Sequence, residues 1–296
     1  MKLDNPVPFE QRYDLRHRLW LDGPHGGWLA LDRILGRDVV VHLAYRSDDD
    51  QPFLQMAQIR GRLRHANLIP LYDLGATKDG TPFFTEPCIK ATDLRRLRLD
   101  GEDKAGDVTL PRLLSYLLDV CKAVAFVHAN GFLHLELHPG NVLVVPESQE
   151  VFVVCDHPSL PPVRVERVGA GTWPGAVCRV PAYMAPEQVD PERLGATDVL
   201  TDVYGLGGIL FDILYDNPPN GRQRTSSAIE IVTALAARKG PPERGTLGRR
   251  AARCRELARK LEPVCLRALE YDRTARPVSV SAFMKAVEQC AWGWAS

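Results

Sequence analysis

The spacing of apolar and polar positions changes character near residue 90. Before it, apolar residues come in short runs bounded by turn formers, the pattern of strands. Asp14–Leu21 and Trp28–Asp32 read as two strands joined by the Gly/Pro-rich turn Asp22–Gly27. Val39–Leu43 is β-branched and nearly continuous, as expected of a buried third strand. Leu68–Leu74 and Pro82–Pro87 add two more strands around the turn Thr77–Gly80. One helix interrupts them, predicted from Pro52 to Leu63, with Asp48–Asp50 available as N-cap and proline suited to the first turn. Five strands and one helix make a small α+β lobe over residues 1–87. From Asp93 onward a helical period dominates, so residues 88–296 form a mainly helical second lobe, the boundary falling near Glu86–Lys90.

An amphipathic run from Leu110 to Asn130 predicts a long helix that Gly131 stops. A short buried strand follows from Val142. Between them, His134–Asn141 places polar side chains in a loop held by two apolar elements, where functional groups are commonly displayed.

Composition adds mostly exclusions. Lys+Arg 37 balance Asp+Glu 37, so no charge excess calls for a nucleic-acid or anionic-membrane partner. The cysteines at 88, 121, 155, 178, 254, 265 and 290 show no Cys-x-x-Cys or zinc spacing, and are expected to be buried free thiols of a reducing compartment. No apolar run reaches the roughly 18 residues of a membrane span, so a cytoplasmic chain is expected. The Gly/Pro-containing segment Gly240–Gly248 reads as a surface linker.

Several separate motifs then share one resemblance. The loop His134-Leu-Glu-Leu-His-Pro-Gly-Asn141 resembles the catalytic loop of protein kinases, His-Arg-Asp-Leu-Lys-Pro-x-Asn. Leu35–His42 is similar to the third strand that ends in Val-Ala-x-Lys. Val180-Pro-Ala-Tyr-Met-Ala-Pro-Glu187 is similar to the end of the activation segment. Thr201–Gly207 resembles the buried helix whose Asp braces the catalytic loop, and Leu266–Pro277 resembles the C-terminal helix with its Arg. The flavour is that of bacterial Ser/Thr kinases. The fold this implies is a two-lobed α+β protein-kinase-like domain, with a five-stranded antiparallel N-lobe and a mainly α-helical C-lobe.

The resemblance also exposes what has changed. Phosphoryl transfer is carried by positioned charge. The family's phosphate-holding Lys is His42 here, its helix Glu is Met56, its catalytic Asp is Glu136 and its loop Lys is His138. The three glycine-loop positions fall on Trp20, Asp22 and His25, with glycines 23, 26 and 27 left to form a turn. Val40, Glu86, Cys88 and Leu143 fall on nucleotide-cleft positions, and Val40 overfills the slot for adenine. Asn141 and Asp156 retain the metal positions, but His157 and Pro158 replace the Phe-Gly that normally follows. Leu135 and Val180 remove groups used in phosphorylation control. His134, Glu187, Asp202 and Arg276 are expected to be structural, with Glu187 and Arg276 forming a buried pair and Asp202 holding the backbone of the 134–136 loop.

These changes imply a pseudokinase that needs no cofactor and binds Mg-ATP weakly or not at all. Its expected role is to engage a protein partner, an active kinase or its substrate, as scaffold or allosteric regulator. Two alternatives stay open: an unconventional Ser/Thr kinase using Glu136, Asn141 and Asp156 with magnesium, and a small-ligand sensor. A last expectation concerns position 86, where the family has an apolar or small uncharged residue. Glu86 and Arg60 are opposite changes directed at one pocket, so they are expected to pair, with His42 as the second-choice partner.

Overall fold

The computed structural model describes residues 7–20, 25–45, 50–99, 108–154, 180–221, 228–238 and 240–291. Asp156, His157, Pro158, Cys155, Cys178, Asp22 and Gly23 lie outside the described residues. The described chain divides into two compact units, one ending at Lys90 and the other beginning at Ala91.

The first unit is a five-stranded antiparallel sheet in the order β1-β2-β3-β5-β4. Its strands are β1 (Tyr13–Trp20), β2 (His25–Asp32), β3 (Arg37–Ala44), β4 (Asp73–Ala76) and β5 (Pro82–Pro87). Helix α1 (Gln51–Arg62) packs on one face. Because strand side chains alternate, the sheet has two dissimilar sides. Ala30, Val39, Val41 and Phe83 form one apolar cluster with Phe9 and Tyr13 from the N-terminal turn Phe9–Arg12. Ala44 and Phe84 form the other with Phe53, Met56 and Ala57 of α1.

Three expectations need correcting here. The strand predicted at 68–74 is β4 at 73–76, because Leu68 and Ile69 are buried without joining the ladder. Burial alone produces the same apolar run as a strand. Asp50 precedes α1 but makes no side-chain cap bond, its backbone being already helical at φ −88° and ψ −1°. Gly26 and Gly27 are strand residues of β2 rather than a turn: a Cβ at Gly26 would lie 2.4 Å from the Trp28 ring, and one at Gly27 2.3 Å from the Trp20 ring. The glycines let two indoles lie flat against the backbone.

The second unit is helical. A small sheet, β6 (Thr92–Asp93), β7 (Val142–Val144) and β8 (Val151–Val153), accompanies α2 (Leu94–Leu99) and α3 (Leu110–Ala129). The Thr109 hydroxyl accepts the Arg112 N–H at the start of α3, and Gly131, at φ +80°, turns the chain at its end. Helix α4 (Val199–Tyr215) is apolar almost all round and buried along nearly its whole length, as the central helix of a core must be. Asp198 caps it by accepting the Leu200 N–H. Around it stand α5 (Ala228–Ala237), α6 (Arg249–Arg253), α7 (Arg255–Ala268) and α8 (Val280–Ala291). The segment 240–248 is a surface linker without helix or strand, anchored at its end: Gly248 N–H donates to the Leu214 carbonyl at 2.8 Å, and a Cβ on Gly248 would strike Asp216. Among the described cysteines, all of them free, only Cys121 and Cys265 are buried, whereas Cys88, Cys254 and Cys290 are partly exposed. No described helix is long and apolar enough to cross a membrane.

Candidate functional site

In the first unit, the pairing of β3 with β5 sets His42 opposite Phe84 and Val40 opposite Glu86. His42 is fully enclosed and stacks on Phe84 with ring centroids 4.1 Å apart. Glu86 is buried beside it. Arg60, one helical turn after Met56 on α1, donates to Glu86 Oε2 at 2.5 Å, and its guanidinium lies over the Phe84 ring. His42 Nε2 approaches Glu86 Oε1 at 3.1 Å, a charge contact off the line of a good hydrogen bond. Burial alone would push the Glu86 carboxyl up, but His42 and Arg60 together outweigh it and hold it at about 2. Glu86 is therefore a carboxylate at every physiological pH.

This arrangement redraws the charges of the unit. The imidazole of His42 on the third strand faces a carboxylate on β5, and the helix supplies the Arg60 cation. Met56 instead sits in the apolar cluster with Phe53 and Phe84. Val40 is buried in the same sheet, and Cys88 follows β5, its thiol pushed up by burial. His25 was not anticipated: it is buried with its ring 5.0 Å from that of His42. Trp20, 5.3 Å from the His42 ring, completes the aromatic packing.

In the second unit the loop 134–141 is built around Asp202. Its carboxylate accepts the His134 N–H at 2.8 Å and the Leu135 N–H at 2.7 Å, and meets His128 Nε2 at 2.7 Å. Burial opposes ionisation, but His128 and the loop amides more than compensate and lower the Asp202 pKa. Leu135 sits at φ +62°, a strained setting for a side chain larger than glycine. Both its backbone groups are fixed, the carbonyl accepting from Gln188 Nε2 at 2.8 Å. His134 is buried, with Nε2 3.0 Å from the Val154 carbonyl and Nδ1 accepting the Glu136 N–H. Asn141 donates its amide to the Glu136 carbonyl at 2.9 Å, which ties the loop to itself. His138 Nδ1 accepts the Gly140 N–H. Leu143 lies on β7. A shallow pocket beside Glu136 and His138 is closed by Tyr183, Met184 and Gln188.

Farther along, Arg276 and Glu187 form a fully buried two-point pair at 2.7 and 2.9 Å, and the Thr201 hydroxyl donates to the same carboxylate. Burial would raise the Glu187 pKa, but Arg276 lowers it. His128 and Gln188 are the contributors that sequence reasoning passed over. His128 follows Cys121 and Val124 on the apolar stripe of α3, where a histidine reads as core packing.

Comparison with known proteins agrees with this geometry. Residues 39–288 match the protein kinase domain. A DNA damage-responsive serine/threonine-protein kinase of Deinococcus radiodurans is 32% identical over 70% of this chain and 30% of its own length. A serine/threonine-protein kinase of Chlamydia caviae is 28% identical over 94% of this chain and 31% of its own. The chain thus spans under a third of these curated relatives. A solved kinase domain of Mycobacterium tuberculosis PknI, a doubly substituted form, superposes with a TM-score of 0.65 at 20% identity, covering 98% of this chain and 100% of that one. With the antiparallel five-stranded sheet, the buried Asp202 brace and the Glu187–Arg276 pair in place, the match over residues 39–288 makes this chain a member of the protein kinase domain family.

Proposed function

We propose that this domain has given up ordinary phosphoryl transfer and acts in the cytoplasm by binding another protein, an active kinase or its substrate, as scaffold or allosteric regulator. The observation that carries this reading is the contact between His42 and Glu86. A group that must grip phosphates has to reach them, but His42 is fully enclosed, and the carboxylate it faces stands on β5 instead of on the helix that would aim it. The helix opposite offers Met56 within an apolar cluster and Arg60 as a cation, so it has no carboxylate at either position to steady an amine. These residues do not fit the phosphate grip of Mg-ATP. Glu136 supports the same reading, since one extra methylene displaces a base by about 1 Å, enough to cost on the order of a hundredfold in rate. The polar frame that remains, Asp202 and the Glu187–Arg276 pair, holds the fold whether or not chemistry follows.

A second reading, an unconventional Ser/Thr kinase, draws on the names of the relatives and on Asn141, whose side-chain oxygen accepts no bond within the loop. Thermal shift with ATP, with and without Mg²⁺, followed by a phosphate-transfer assay on the chain itself and on a generic acceptor, separates the two. No stabilisation and no transfer are expected. Robust magnesium-dependent autophosphorylation abolished by Asp156→Asn would overturn the proposal.

A further inference from the structure

The N-terminal turn Phe9–Arg12 packs on one side of the first unit's sheet and is fastened to it at several places. The Arg12 guanidinium joins two strands that are not neighbours: Nη2 donates to Asp32 at the end of β2 at 3.2 Å, and Nη1 to Asp73 at the start of β4 at 2.8 Å. The Arg12 carbonyl accepts the Arg33 N–H at 2.8 Å, and Glu10 accepts the Lys78 N–H at 3.0 Å. Phe9 packs on Phe83 with ring centroids 4.6 Å apart, and the Tyr13 hydroxyl donates to Asp73 at 3.0 Å. In the sheet order, β3 and β5 stand between the two strands that Arg12 ties, and they meet the turn through the cluster of Val39, Val41 and Phe83. Side chains alternate along a strand. The other side of the same two strands therefore carries His42 and Val40 on β3, and Phe84 and Glu86 on β5.

We infer that Phe9–Arg12 is a releasable strap: it opens without unfolding the sheet, and while closed it stiffens the β3–β5 pairing that brings His42 to Glu86. Three observations support separate release. The strap adds no rung to the sheet, whose ladder begins at Tyr13. Its single helical turn has no side-chain cap, and one turn is too short to hold itself. Its ionic tie to β4 is open to water and salt, Arg12 being 25% and Asp73 35% exposed. An outside segment with an aromatic ring three residues before an arginine, and a second aromatic directly after it, carries the chemistry of Phe9, Arg12 and Tyr13. Such a segment competes for the strap's seat and acts on the buried cluster without entering it. The inference stands on the first unit alone and holds whether or not the domain transfers phosphate.

The test is native-state hydrogen exchange of the whole chain, read residue by residue by mass spectrometry. The Gln11, Arg12 and Arg33 amides should exchange at least about tenfold faster than those of β3 and β5, and faster still as salt rises. Arg12→Gln and Asp73→Asn, changes at a partly exposed rim, should each speed exchange in β3 and β5 by about fivefold or more and leave α4 unchanged. Arg16→Gln, which breaks the exposed pair with Asp38 on the same sheet, should alter it by less than about twofold. In Phe9→Ala/Arg12→Gln, an excess of a synthetic peptide of residues 7–13 should slow exchange in β3 and β5 again, and the same peptide with alanine at the Phe9 and Arg12 positions should not. Turn amides that exchange no faster than the sheet would overturn the inference. So would unchanged β3 and β5 in the Arg12→Gln and Asp73→Asn variants, equal loosening by Arg16→Gln, or no protection by the peptide. None of these outcomes bears on the phosphate-transfer result, so the two readings fail separately.

Discussion

Arg60 and Glu86, 26 residues apart in sequence, meet inside the first unit at 2.5 Å, with the Phe84 ring beneath the guanidinium. Neither residue alone is tolerable there. An unpaired buried charge costs several kcal/mol, whereas the pair, with the His42 ring beside the carboxylate, satisfies itself. Glu86→Gln or Arg60→Met alone should lower unfolding free energy by about 3–5 kcal/mol. The double substitution Arg60→Met/Glu86→Gln should recover most of the loss, because it removes both charges together. Urea denaturation of the four proteins checks this as a thermodynamic cycle; additive losses in the double variant would deny the coupling.

Glu187 and Arg276 are joined by two bonds with both side chains buried, and Arg276 also donates to the Leu200 and Glu270 carbonyls. Arg276→Ala should therefore cost about 3–5 kcal/mol. Arg276→Lys should also be destabilising, since an ammonium cannot reproduce a planar fork. Calorimetry gives the readout, and a melting temperature within about a degree of wild type for the alanine variant would show that the pair contributes little.

Much of the fold was legible in the sequence because apolar period tracks secondary structure: Pro82–Pro87 and the helix from Leu110 lie where their spacing predicts. Leu68–Leu74 misled because Leu68 and Ile69 are buried without extending β4, Leu68 making an isolated bridge only, and period cannot tell a buried run from a strand. The pairing of Glu86 with Arg60 was legible as two charges of opposite sign at positions that should be apolar. His25 and His128 were not, since neither a histidine among glycines and proline nor one on the apolar stripe of a helix gives a sign of its partner. Only the closing of β2 on β3, and of α3 on α4, brings His25 to His42 and His128 to Asp202.

Asp212 gives the stability curve a specific shape. Burial pushes its carboxyl up to about 6, Arg98 pulling the other way and Asp216 adding to the rise. The folded state thus binds this proton more tightly than the unfolded chain, so the contribution of Asp212 favours folding below about pH 4 and is lost as pH rises toward 6. Asp202 and Glu187 have lowered pKa values and act oppositely, contributing above the ordinary carboxylate range and losing that contribution as pH falls through their folded values. Asp212→Asn should flatten the pH 4–6 region, removing a decline on the order of 2 kcal/mol, and leave the acid limb in place. Denaturation curves at several pH values measure the difference in slope; an unchanged slope would mean that Asp212 does not hold its proton in the fold.

The last prediction asks whether His42 is merely a lost lysine. If it were, His42→Lys would begin to restore a phosphate grip. The geometry says otherwise, because any cation at position 42 enters a pocket whose carboxylate is Glu86 on β5, while α1 offers Met56 and Arg60. A lysine there should pair with Glu86 and remain enclosed, keeping stability close to wild type without gaining transfer. His42→Ala should be less stable than His42→Lys, having lost both the stack on Phe84 and any group facing Glu86. Restoring one part of a unit whose other members, Glu136 and His138, are still changed should yield no measurable turnover, since such parts do not act additively. Incorporation of labelled phosphate and the melting temperatures of the two variants are the measurements. Magnesium-dependent transfer by His42→Lys alone would show that the pocket accepts a phosphate-facing amine after all.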